Sequence, residues 1–139
     1  LSFLSNIYDF QDKNTEAKKV IIKALNIKTK ITQKNHPLYI NDLIKLSNIL
    51  IKLKEYTNAE KYLKSIIKFY ENTENQNEKN YANCLLLLAI IYYENKNYYP
   101  SYFYVIKSRS IFEKILKEND ERLINCKEWF DIIQEKLKK

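Results

Sequence analysis

Residues 43–50, Leu43-Ile44-Lys45-Leu46-Ser47-Asn48-Ile49-Leu50, return 42 positions later as Leu85-Leu86-Leu87-Leu88-Ala89-Ile90-Ile91-Tyr92, and stand 42 positions earlier as Leu1-Ser2-Phe3-Leu4-Ser5-Asn6-Ile7-Tyr8. Leu1, Leu43 and Leu85 share one column, Leu4, Leu46 and Leu88 another, and Ser5, Ser47 and Ala89 form a column of small residues. The register continues downstream: Ala17, Ala59 and Ser101 are small, and Ile21, Leu63 and Val105 are apolar. A fixed period of this length marks an array of supersecondary units.

The apolar spacing inside each copy is that of a helix, not of a strand. Leu43, Leu46, Leu50 and Leu53 form one stripe; beyond a polar break at Lys54 and Glu55, Ala59, Leu63, Ile66 and Ile67 form a second. Each copy is therefore read as a helical hairpin, with helices expected over 1–11 and 15–29, 38–53 and 57–72, and 79–95 and 99–117. A final helix is expected over 120–137. Pro37 and Pro100 fall where proline is tolerated, in the first turn of a helix, and Asn35 is placed to cap the helix that Pro37 opens. A lone hairpin cannot bury its stripe, so the copies must stack. The fold expected is all-α: an α-solenoid of three hairpins, residues 1–37, 38–78 and 79–117, closed by a capping helix in 118–139. In that last segment Leu123, Cys126, Phe130, Ile133 and Leu137 share one face, while Lys127, Asp131 and Gln134 break the apolar and small columns.

Composition excludes whole classes of chemistry. There is no glycine in 139 residues, so phosphate-cradling loops, dinucleotide turns and nucleophile elbows cannot be built. One histidine, His36, and two cysteines, Cys84 and Cys126, cannot furnish a four-ligand structural zinc site without carboxylates. Two thiols make no disulfide framework and fit a reducing compartment or an indifferent one, with the cytoplasm the plain expectation. No catalytic residue, cofactor, metal or small-molecule substrate is expected. The apolar run Cys84–Tyr93 is shorter than the roughly 20 residues that span a bilayer, and Leu1–Phe10 carries Asp9 without a basic leader, so neither a membrane span nor a signal peptide is expected. The absence of methionine suggests a processed chain or a piece of a longer one.

The repeat resembles the tetratricopeptide repeat. Leu43-x-x-Leu46-Ser47-x-x-Leu50, Tyr56 and Ala59 follow that pattern, and Leu85, Leu88-Ala89, Tyr92, Tyr98 and Ser101 repeat it. The period exceeds the usual ~34 residues and is similar to that of kinesin-light-chain repeats, as is His36-Pro37 before the second copy. The resemblance implies a scaffold that holds a partner's peptide or helix against the first helix of each hairpin. In this chain the groove positions it implies are Asn6 in the first copy, Asn41, Lys45, Asn48 and Lys52 in the second, and Asn83, Leu87 and Ile90 in the third. Asparagine suits such a face because its amide both donates to and accepts from an extended backbone. Asn83 and Leu87 stand where chaperone-tail binders carry cations, which argues against that subtype.

Two other readings compete. Net charge is +7, distributed as +4 over residues 1–37 and −1 over 118–139, and a basic α-solenoid can bind nucleic acid. The lysines at 18, 19, 23, 28, 30 and 34 spread around their helix and loop rather than gathering on one face with arginine or stacking aromatics, so a nucleic-acid partner is disfavoured. Related helical repeats also form the carboxy-terminal appendage of lysine methyltransferases of the SET and MYND type, and upstream sequence would decide that alternative. A tyrosine-rich stretch, Tyr92 to Tyr104, divides into packing positions (Tyr92, Tyr98, Tyr104) and positions off the packing columns (Tyr93, Tyr99, Tyr102). Lastly, Asp12, Lys54 and Lys96 occupy the hairpin turns where the resembled family commonly carries glycine.

Overall fold

The computed structural model describes residues 15–23, 37–72 and 77–138. Asn6, Asp12, Asn35 and His36 lie outside them. The described residues form helices: α1 over 15–23, α2 Pro37–Lys52, α3 Tyr56–Glu71, α4 Glu78–Glu94, α5 Tyr98–Ile115 and α6 Glu121–Leu137. The bounds of α2 to α6 fall within two residues of those read from periodicity. Contacts divide the chain into two compact units, Leu1–Tyr62 and Leu63–Lys139, the division falling inside α3.

In the first unit α2 buries Ile40, Leu43, Leu46, Ser47 and Leu50, the apolar stripe with the small position beside it. The Ser47 hydroxyl returns a 2.8 Å hydrogen bond to the Leu43 carbonyl, which lets a polar residue sit fully buried without an unsatisfied group. Lys18 of α1 holds both Glu55 carboxylate oxygens at 2.9 Å, tying α1 to the α2–α3 turn. This part-exposed pair contributes about 1 kcal/mol or less.

The second unit is organised around α4. Its sequence is apolar on nearly every side, and Tyr81, Ala82, Cys84 to Ala89 and Ile91 are all buried. A helix apolar all round has to be covered on all sides. Asn77 caps its start by accepting the Asn80 N–H at 3.1 Å. Ala82, Leu86 and Ala89 form a core with Val105 and Phe112 of α5 and Leu123, Cys126 and Ile133 of α6. The two small columns meet here: the Ser101 hydroxyl donates to the Ala89 carbonyl at 2.7 Å. Further along the same interface, the Cys126 thiol donates to Ser108 at 3.7 Å, and Ser108 donates to the Ala82 carbonyl at 2.7 Å. That relay runs through all three helices and needs a small residue at each crossing. Asp120 caps α6 by accepting the Arg122 N–H at 2.9 Å while the Arg122 guanidinium grips the same carboxylate. These contacts hold its carboxyl below the usual range.

The two described hairpin turns are built identically, 42 residues apart. Glu55 N–H bonds the Leu50 carbonyl and Lys54 N–H bonds that of Ile51; Asn97 and Lys96 do the same to Tyr92 and Tyr93. This is the 6→1 and 5→2 pair of a Schellman motif, which puts the residue after the cap in the left-handed region. Lys54 and Lys96 accordingly have φ of 64°, the cost that a chain without glycine must bear. Lys54→Gly and Lys96→Gly are each expected to raise stability by about 1 kcal/mol, measured by urea denaturation. A loss of stability in either variant would show that the lysine side chain makes a compensating contact.

Candidate protein-interaction surface

The polar face of α2 is the best-formed candidate site. Asn41, Lys45, Asn48 and Lys52 follow a spacing of four, three and four residues, which stacks them in one straight ladder. The ladder stands opposite the buried stripe of Leu43, Leu46 and Leu50. Asn41, Lys45 and Lys52 are exposed and Asn48 is half-buried. The arrangement alternates amides, which can pair with a peptide's N–H and C=O, with ammonium groups that can meet a carboxylate.

The same spacing on α4 gives a different surface. Asn83 and Ile90 are half-buried, and Leu87 between them is only 7% exposed. The α4 ladder therefore offers one amide and part of one isoleucine, with Leu87 committed to packing. The signal was present in the sequence, since the unbroken run Cys84–Ile91 leaves no side of α4 polar.

The aromatic stretch resolves residue by residue. Tyr92 stacks on Tyr104 with ring centres 5.7 Å apart and planes 6° from parallel. Tyr93 packs against Tyr98 and edge-on to Trp129, and Tyr102 lies 5.7 Å from Phe130. Tyr93 and Tyr102, off the packing columns, are thus half-buried by neighbours from α5 and α6. Tyr99 stands out at 78% exposure, followed along α5 by Phe103 and Ile106. Periodicity gave no sign of this outward apolar row, because Phe103 and Ile106 belong to no repeat column. Beside Tyr99, a shallow cavity of about 360 Å³ is lined by Lys96, Tyr98, Pro100 and Lys136. Lys136 sits 5.9 Å from the Tyr98 ring centre.

Three titratable groups of the second unit are held toward their neutral forms. Burial pushes the Cys84 thiol up to about 12 and raises that of Cys126, so neither is a ready thiolate. The Tyr81 hydroxyl donates to Glu71 at 2.9 Å; burial, with that carboxylate beside it, pushes the phenol up to about 12. Among the described residues no group of three or more His, Cys, Asp or Glu is placed to hold a metal, and no helix is long and apolar enough to cross a membrane.

No protein-family model and no curated protein matches this chain. Solved structures do. A Podosopora anserina protein of nearly identical TPR-like repeats, described as a putative kinesin light chain, superposes with a TM-score of 0.77 at 13% identity over 91% of this chain. A substituted variant of that protein gives 0.78 over the same share. BtubC (BKLC) from P. vanneervenii gives 0.66, at 13% identity over 93% of this chain. The chain spans 60% of the length of the first two structures and 50% of the third. At that identity the likeness is one of fold: tetratricopeptide-like helical hairpins of the kinesin-light-chain type.

Proposed function

We propose that this chain is a non-enzymatic protein-interaction scaffold that holds a partner's peptide or helix on the first helices of its hairpins. The observation that carries the reading is the polar ladder Asn41–Lys45–Asn48–Lys52, in which Asn41, Lys45 and Lys52 are exposed and Asn48 half-buried, on the side of α2 opposite its buried stripe. Asn83 and Ile90 add an amide and an apolar contact on α4. A partner segment with an extended backbone and an acidic side chain or terminal carboxylate fits the α2 ladder. The two buried free thiols suit a cytoplasmic setting. Against a nucleic-acid partner stand the pairing of Lys18 with Glu55 and the approach of Lys19 to Glu16.

The test begins with peptides selected by display against the whole chain. Asn48→Ala combined with Lys52→Glu is expected to weaken the selected peptide about tenfold in titration, the loss of one amide pairing and one charge contact. The melting temperature should stay where it is, because Lys52 is exposed and Asn48 only half-buried. Unchanged affinity would move the site off α2.

A further inference from the structure

Two exposed helix faces in this chain have opposite charge and the same design. On α1, Lys19 and Lys23 are exposed one helical turn apart, flanking Val20, which is 64% exposed. On α6, Ile124 is 43% exposed and is followed at four and seven residues by exposed Glu128 and Asp131. Each face thus presents one large aliphatic side chain out of water's favour beside two like charges. On the α1 face Glu16 lies 3.8 Å from Lys19, so that among the described residues Lys23 is the cation there with no acid beside it.

The repeat register says what the α6 face is for. Forty-two residues earlier, its three positions are Ala82, Leu86 and Ala89 of α4, which are no more than 3% exposed. Ala82 and Ala89 accept the hydroxyl hydrogen bonds that seat α5. The α6 face is therefore the counterpart of a helix-receiving face, with Ala82 exchanged for Ile124, Leu86 for Glu128 and Ala89 for Asp131.

We propose that this chain associates with a second copy of itself head to tail, the basic α1 face of one copy seating on the acidic α6 face of the next. Val20 then meets Ile124, and Lys19 and Lys23 meet Glu128 and Asp131. The two surfaces differ, so the contact is heterologous: each copy keeps one free face of each kind, and association continues past the dimer. With so few apolar side chains engaged, the contact is weak, and its charge pairs make it sensitive to salt.

The experiment is sedimentation of the full chain from about 10 to about 500 µM, with circular dichroism of every variant to confirm its helix content. At about 50 mM salt the weight-average mass is expected to climb beyond two copies without a plateau, and at about 500 mM salt association should weaken at least tenfold. Lys19→Glu with Lys23→Glu, or Glu128→Lys with Asp131→Lys, should each yield a monomer, since like charges then face one another. Mixing the two variants in equal amounts should restore association, which a misfolded variant could not do. A monomer mass at every concentration, a dimer that persists in both variants, or no recovery on mixing would each overturn the proposal.

Discussion

Phe112→Ala is expected to destabilise the Leu63–Lys139 unit by about 3–5 kcal/mol. Phe112 is 1% exposed and is the largest fully buried side chain. It lies in the core that α4, α5 and α6 build together. Removing the ring takes away the burial energy of an aromatic side chain and leaves a void that helices already touching through Ser101 and Ala89 cannot close. Thermal melting followed by circular dichroism checks this, with a fall in Tm on the order of 10–20 °C. A fall of only one or two degrees would mean that α5 and α6 can collapse into the space, and that the crossings are looser than their hydrogen bonds indicate.

The second large effect comes from the opposite error, adding volume. Ala89→Leu places an extra isopropyl group where the Ser101 hydroxyl now reaches the Ala89 carbonyl at 2.7 Å. Overpacking of this kind costs about 1–3 kcal/mol, and pushing α5 away also forfeits a buried hydrogen bond of about 1 kcal/mol. The expected loss is about 2–4 kcal/mol, measured as a drop in the urea midpoint at unchanged slope. Ala59→Leu, 42 residues before Ser101 and equally buried, is the parallel test in the preceding copy. A neutral outcome at Ala89 would show that leucine can turn out of the crossing without moving the helices.

Most of the helical architecture was legible in the sequence because two independent signals agreed. The 3.6-residue stripe located each helix, and the 42-residue register said which helices were equivalent. Pro37 and Pro100 also fell in first turns, as read. The left-handed turns at Lys54 and Lys96 were legible only as a question. The repeat pattern placed a special backbone position there, but lysine itself gives no sign of a positive φ. The hydrogen-bonding of Glu55 and Asn97 back across the turn settles it.

The candidate site was legible on α2 and less so on α4. On α2 the polar ladder and the apolar stripe are separated by half a turn, so a reading of spacing alone finds both. On α4 no such separation exists: Leu85 to Leu88 are four successive leucines, one in every direction around the axis. Spacing then identifies an equivalent position, Leu87, without saying whether anything covers it. Tyr99 shows the limit from the other side. It belongs to a cluster of tyrosines that composition cannot divide: Tyr93 packs against Trp129 and Tyr98 lies beside Lys136, while Tyr99 is left 78% exposed.

The hydroxyl and thiol contacts that join neighbouring helices are all short along the chain. Ser101 to Ala89 spans 12 residues, Cys126 to Ser108 spans 18, and Ser108 to Ala82 spans 26. Closing such loops costs little chain entropy, so α4, α5 and α6 make these contacts without waiting for a distant segment. Within this unit ordering can therefore start at α4 with α5 and spread to α6, with the short sequence separation of these contacts favouring fast assembly.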